Sequence, residues 1–243
     1  MKTKWGISGS TLKWIAIITM AADHIGASLL EGFVLNAWGG SPLGDSFAGR
    51  WNEIFAADMV FRFIGRPAFP IFCFLLVEGF LHTHDVKKYA FRLGVFALVS
   101  EIPFDLAFHM KPFHWGYQNV FFTLLAGLLS ICFIRAHKDT VSARIGGILG
   151  GAALAELLHT DYGAFGVVLV VLLYLLRDRK TMQCIWGALI CIWELTAPLA
   201  FLLIYFYNGE RGKQPRWFFY WFYPAHLLLY YIIGTWALPA ALL

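Results

Sequence analysis

The sequence predicts an all-α, polytopic integral-membrane bundle of about nine transmembrane segments, with broken helices around a central polar cavity, in a single domain spanning residues 1–243. Three observations lead there. Of the 243 residues, 59% are hydrophobic and only 14% charged, against about 25% charged in a soluble domain. Apolar runs recur from end to end, roughly over 11–37, 55–81, 89–109, 118–134, 144–159, 162–176, 181–195, 197–208 and 217–240, many of them near the ~20 residues a spanning helix needs. Charged residues nevertheless sit inside several of these runs, where each costs roughly 2.5–3.5 kcal/mol at the bilayer centre.

The threading follows from the basic residues. With the N-terminus in the cytoplasm and every run crossing, the cytoplasmic positions hold Lys2, Lys4, Lys13, Lys87, Lys88, Arg92, Arg135, Lys138, Arg144, Arg177, Arg179, Lys180, Arg211, Lys213 and Arg216. The outer side receives only Arg50 and Lys111, and Arg62 and Arg66 fall within a span. Cytoplasmic loops carry the excess of Lys and Arg, so the C-terminal residue Leu243 is expected outside. The apolar run beginning at Leu12 is too long for the core of a cleavable signal peptide. The net charge of +4 is read as loop topology, and no nucleic-acid partner is expected. Cys73, Cys132, Cys184 and Cys191 all lie in apolar runs and read as reduced packing residues.

The first run carries Asp23-His24 at mid-depth. Adjacent helical residues point about 100° apart, so the two need not touch. An intramembrane histidine marks a functional site by default, and a near-neutral imidazole can take a proton from a hydroxyl or amine nucleophile. His24 is the candidate catalytic base, with Asp23 orienting it or balancing its charge.

The second run is interrupted at Arg66-Pro67-Ala68-Phe69-Pro70. Proline removes a helical hydrogen bond, and irregular backbone at membrane depth is tolerated only where it lines a cavity or is buried in protein. Arg62 and Arg66 are four apart and share a helix face. Two roles stay open for them: pairing with Glu101, Asp105, Glu156 or Glu194, or forming an anion site for phosphate.

The third run contains Ser100-Glu101-Ile102-Pro103-Phe104-Asp105. Glu101 and Asp105 share a face and are expected to pair with the arginines or to meet substrate. Gln118, Asn119 and Thr123 open the fourth run, where the amides can bond a substrate or cap the helix. Gly146, Gly147, Gly150 and Gly151 give small-xxx-small spacings that read as close helix packing. The runs 181–195 and 197–208 are short, and Pro198 separates them. A tight pair or a re-entrant hairpin is expected. Tyr207-Asn208-Gly209 marks a turn. The last run holds Tyr223-Pro224-Ala225-His226, a second intramembrane histidine on the substrate side. His82, His84 and Asp85 lie in a loop without a further ligand at recognisable spacing, so no metal is expected.

Taken in order, these stretches resemble the TraX family over nearly the whole chain. The resemblance rests on Leu12-Lys13 through Met20; Asp23-His24-Ile25-Gly26; Arg62-x-x-Gly65-Arg66-Pro67-Ala68-Phe69-Pro70-Ile71-Phe72; Glu78-Gly79-Phe80; Tyr89-x-x-Arg92-Leu93; Ser100 to Asp105; Gln118-Asn119-x-x-Phe122-Thr123; Asp161-Tyr162-Gly163; Tyr207-Asn208-Gly209; and Phe222-Tyr223-Pro224-x-His226-Leu227. The family takes its name from a conjugative-plasmid protein that acetylates the pilin N-terminus, and it looks related to wider membrane acyltransferases. The resemblance implies acetyl-CoA as donor. It implies that His24 is the acid/base or acyl-carrying residue, and that Arg62 and Arg66 lie near the CoA.

The reading is an acetyltransferase of the bacterial inner membrane. It would move acetyl from cytoplasmic acetyl-CoA to an acceptor reached from the outer side, a peptide amine, a glycan or a lipid-linked sugar. Arg62, Arg66, Lys87, Lys88 and Arg92 are assigned to the CoA phosphates. Glu101, Asp105, Asn119, Tyr223 and His226 are assigned to the acceptor. Self-association into a homo-oligomer stays open. Two rivals predict different behaviour. A transporter or proton-coupled channel would use the same Arg/Glu/His cluster, yet no repeated halves are visible. A non-catalytic scaffold would bind no CoA and tolerate replacement of His24.

Overall fold

The computed structural model describes residues 5–37, 48–213 and 215–242. Lys2, Lys4 and Leu243, used in the threading argument, lie outside them. The described residues form helices, α1 (Gly9–His24), α2 (Trp51–Gly65), α3 (Ala68–His82), α4 (Val86–His109), α5 (Val120–Ala136), α6 (Val141–Leu157), α7 (Gly163–Leu175), α8 (Lys180–Ile190), α9 (Ala200–Tyr205), α10 (Arg216–Ile232) and α11 (Leu238–Leu242). Side-chain caps start several of them. Ser8, Asp85, Asn119 and Thr140 accept the backbone N–H of Thr11, Lys88, Phe121 and Ala143 at the heads of α1, α4, α5 and α6, each satisfying a donor the helix cannot.

The stretches Gly9–Asn36 and Trp51–His82 are long and apolar enough to cross a membrane, by length and composition. The shorter α5 and α7 are also apolar. Large apolar side chains face outward on many helices, among them Phe91, Leu98, Leu129, Leu149, Leu157 and Leu202, each at least 45% exposed. Soluble monomers rarely expose apolar patches beyond a few hundred Å². An exterior of this kind suits lipid.

Contacts between chain segments sort the helix ends onto two sides of the bundle. At one end, Ile7, Gly9 and Ser10 bond to Phe206, Glu210 and Arg211 through the backbone. Arg177 pairs with Asp139, and Arg135 lies over the Phe80 ring. At the other end, the Gln118 N–H donates to the His159 carbonyl, the Gln118 carbonyl accepts from the Asp161 N–H, and Ser28 donates to the Ala107 carbonyl. The basic residues of the 135–144, 177–180 and 211–213 stretches thus share an end, and Lys111 lies at the opposite one.

The short pair resolves as a hairpin. Lys180, at the head of α8, donates to the Tyr207 carbonyl just past α9, so both arms return to the same end. The 11-residue α8 rises about 16 Å, roughly half the ~30 Å hydrocarbon core. Of the two arrangements expected for this stretch the re-entrant hairpin is the one formed, because neither arm has the length for a full crossing. The N-to-C threading keeps its parity, because a hairpin that returns leaves the chain on the side where it began.

The break in the second run falls between α2 and α3, at Arg66-Pro67. Proline at 67 has no N–H for the carbonyl four residues back, which is that of Phe63. Thr196, at the hairpin tip, donates its hydroxyl to that carbonyl at 2.5 Å. An unsatisfied carbonyl in hydrocarbon costs several kcal/mol, so the proline break creates the socket in which the hairpin docks.

Glycine decides two close approaches. A Cβ on Gly65 would overlap Asp23 of α1, and one on Gly151 would overlap the Ser130 hydroxyl of α5, while Gly150 faces open space. The glycine stripe of α6 is thus a packing seam, and Gly147 and Gly151 are the residues in it. Overpacking costs typically about 1–3 kcal/mol, whereas a glycine in open helix is worse than alanine by roughly 0.5–1 kcal/mol. In thermal unfolding of the detergent-solubilised protein, Gly151→Ala is expected to lower Tm, and Gly150→Ala to leave it unchanged or raise it. Equal effects at the two positions would refute the seam.

Candidate functional site

Asp23 and His24 end α1, and the chain then continues in the wider winding of a π-helix over Ile25–Ala37. Departures from α geometry of this type cluster at functional sites. Here the change in pitch falls directly after His24. It forms the floor of a cavity of about 450 Å³, within the 300–1,000 Å³ of ordinary ligand sites. Its wall includes Asp23, His24, Arg62, Arg66, Glu194 and Tyr223, with His109, Tyr117, Asp161 and Tyr162.

The central contact joins the two histidines His24 and His226. His24 Nδ1 lies 2.7 Å from His226 Nε2, and the rings are parallel, 4° apart. His226 Nδ1 lies 2.7 Å from the Phe222 carbonyl oxygen, which can only accept. His226 therefore donates through Nδ1. With both rings neutral, each has one donor and one acceptor nitrogen. His226 Nε2 then accepts from His24 Nδ1–H, and His24 Nε2 keeps its lone pair. Backbone geometry on α10 so sets the tautomer of a ring on α1. Phe108 and Tyr223 meet the His24 ring edge-on, at 5.4 and 5.9 Å. Tyr230 donates to the Ala21 carbonyl at 3.1 Å and fixes α10 against α1.

Of the two roles open to Asp23, charge balance within the site fits the geometry and orientation of His24 does not. Asp23 Oδ2 accepts from Arg62 at 2.5 Å, a contact made possible by Gly65, and His226 is the residue that orients His24. Arg66 pairs with Glu194 at 3.2 Å. Of the four acids weighed as partners for the arginines, Glu194 is the one the fold brings to them. Glu101 and Asp105 do not pair with either. Glu101 accepts from the Asn119 side chain and backbone, while Asp105 accepts from the His114 N–H at 2.7 Å. Glu156 accepts from the Ala164 N–H at the head of α7. Both ion pairs in the wall have mostly buried side chains. Removing one member of such a pair costs roughly 3–5 kcal/mol, so the arginines are structural as well as available to a ligand.

The other assigned residues divide. Tyr223 lines the cavity and is 3% exposed. Asn119 caps α5 through its Oδ1 on the Phe121 N–H and, with Glu101, is outside the cavity wall. Lys87, Lys88 and Arg92 are also outside the wall. They sit in the first two turns of α4, where Lys88 pairs with Asp85 and Arg92 approaches the Tyr89 ring. Phe104 in the wall lies twelve positions beyond Arg92 on α4, about 18 Å of helix. His82 bonds its own helix at the Glu78 carbonyl, and Asp85 caps α4.

Sequence reasoning gave no site role to Tyr117, Asp161, Tyr162 or His109. Tyr117 donates to Asp161 at 2.7 Å, and Tyr162 stacks on Phe69 with centroids 3.6 Å apart. The signal at Asp161-Tyr162 was their place, with Gly163, among the TraX-like stretches.

Among known proteins, no solved structure matches this chain. A probable fimbrial assembly protein FimC, serogroup H1, of Dichelobacter nodosus is 29% identical over 258 aligned positions, which cover 91% of this chain and 93% of that relative. The profile described as TraX protein matches residues 8–234. The match takes in α1, both sides of the Pro67 break and the His226 turn of α10, and the chain belongs to the TraX family.

Proposed function

We propose that this protein is a polytopic membrane acetyltransferase, which moves an acetyl group from acetyl-CoA to an amine or hydroxyl acceptor at the cavity around His24. The observation that carries the reading is the His24–His226 pair, which leaves His24 Nε2 as a lone pair in a cavity wall. A general base must lie within hydrogen-bond reach of the proton it takes. In the proposed step the acceptor nitrogen or oxygen attacks the thioester carbonyl while His24 Nε2 takes its proton. The C–S bond then breaks, and the thiolate leaves with the proton returned by His24. His226 stabilises the transient imidazolium by sharing its hydrogen bond. The name of the Dichelobacter nodosus relative favours a fimbrial subunit as acceptor, and hence a peptide amine over a glycan or a lipid-linked sugar.

The donor would come from the basic end of the bundle. Lys87, Lys88 and Arg92 would hold the phosphates there, and the long pantetheine arm would carry the thioester to the arginines and His24. That end is proposed as cytoplasmic, with the exposed apolar faces covered by lipid of the inner membrane. A single cysteine replacing Lys138 should react only with reagents that enter the cell, and one replacing Lys111 with impermeant reagents added outside. The reverse pattern would invert the orientation.

A second reading, proton-coupled transport, is favoured by one feature: a re-entrant hairpin that carries an acid, Glu194, to an arginine of the cavity wall. The two readings separate on the purified protein. Transport predicts flux in liposomes and no turnover of acetyl-CoA.

General acid–base groups supply typically about 10²–10⁴-fold in rate. His24→Gln is expected to lose turnover in that range, measured as acetyl transfer or acetyl-CoA hydrolysis, with CoA binding and Tm kept. His226→Gln should lose less and shift the pH profile, because it removes orientation but leaves the base. Normal turnover in folded His24→Gln would end the assignment.

If Arg66 also meets the donor, Arg66→Ala should weaken CoA binding more than Lys111→Ala. A hydrogen bond to a charged group is worth about 1.5–3 kcal/mol, which is roughly 10–100-fold in affinity. The double variant Arg66→Ala/Glu194→Ala removes the stranded acid and controls for its effect. Unchanged affinity in both would leave Arg66 as a structural residue.

A further inference from the structure

A second cluster borders the same cavity through His109, and the proposed chemistry does not use it. Asp105 and His109 are four apart on α4 and share a helix face. Met110 then ends the helix in the left-handed conformation, with φ 56°, and the chain turns back. The turn is pinned by the His114 N–H, which donates to Asp105 Oδ2 at 2.7 Å. It brings the His114 ring over His109, with centroids 4.0 Å apart. Asp105, His109 and His114 each then present a metal-ligating atom within 4.8 Å of the other two.

The hydrogen-bond accounting of these residues is incomplete. Asp105 Oδ1, His109 Nε2 and His114 Nδ1 are buried and have no hydrogen-bond partner. Asp105 itself is 1% exposed. A buried polar atom left unpaired costs roughly 1–3 kcal/mol, and three such atoms have been gathered on three neighbouring side chains. The loop fold uses one carboxylate oxygen and leaves the other free. Two imidazole nitrogens and one carboxylate oxygen are a zinc-type donor set. A bound cation would satisfy all three atoms at once and would hold the two stacked rings in place.

We propose that Asp105, His109 and His114 form a site for a divalent zinc-class ion beside the cavity, which it meets at His109. Three protein ligands leave the fourth position of a tetrahedral ion open. Because His109 lines the cavity, that position falls to water or to an oxygen of whatever occupies the cavity. The site requires a turn of defined shape, since His114 joins the helix pair only through the reversal at Met110. It also gives Asp105 a role distinct from the acceptor contact expected of it.

The test uses the full chain in detergent with its affinity tag removed. The protein is stripped with a chelator and titrated with Co²⁺, then with Zn²⁺. One Co²⁺ per chain is expected, with the visible absorption of a four-coordinate ion and loss of that band as Zn²⁺ displaces it. Zn²⁺ should also raise Tm. Loss of an outer partner of a metal ligand costs about 10–100-fold in affinity, so His109→Ala and His114→Ala should each lose at least that much, while His137→Ala binds as the parent does. A folded parent protein that takes up no Co²⁺ overturns the proposal, whatever the variants do. So does undiminished Co²⁺ binding in either ligand variant.

Discussion

The architecture around the cavity depends on the missing hydrogen bond at Pro67. Proline there leaves the Phe63 carbonyl without its helical donor, and the Thr196 hydroxyl supplies one from a hairpin distant in sequence. The same docking sets Glu194 against Arg66. Because α2 ends at Gly65, α1 can come close enough for Asp23 to meet Arg62. One backbone defect thus determines which acid meets which arginine and where the cavity wall runs. A continuous helix over 51–82 would offer neither socket nor wall.

The second organising contact is the imidazole pair. A single buried histidine can adopt either neutral tautomer, and which nitrogen is basic is then set by its surroundings. Here the Phe222 carbonyl, with no choice but to accept, propagates its preference through His226 to His24. His24 is oriented by an uncharged group, not by a carboxylate. The nearby carboxylate is engaged by Arg62, and Arg66 meets Glu194, so each arginine of the wall faces an acid.

Periodicity, charge placement and proline positions made much of the fold legible. The broken second run, the short hairpin at Pro198, the glycine seam and the turn at Asn208-Gly209 each express a local backbone rule: a missing donor, a missing Cβ, or a residue that tolerates positive φ. Such rules act within a few residues and can be read along a single chain. The intramembrane residues were legible as a group for a similar reason, since a charge or imidazole in an apolar run carries a cost wherever it points.

Pairing was decided by tertiary structure. From sequence, Arg62 and Arg66 had four acids to choose from, and Glu101 and Asp105 stood nearer in the chain than Glu194. Helix rotation put Glu101 on Asn119 and Asp105 on the His114 loop, while the hairpin delivered Glu194 from 128 residues away to Arg66. Asp23 and His24 are neighbours in sequence, but the ~100° between successive helical residues sends one to α2 and the other to α10. The sequence by itself determined the all-helical class, the TraX membership, the breaks and the polar residues on which a site could be built. Only the packed bundle decided which of them meet, because interhelical contacts depend on the rotation and depth of every helix at once.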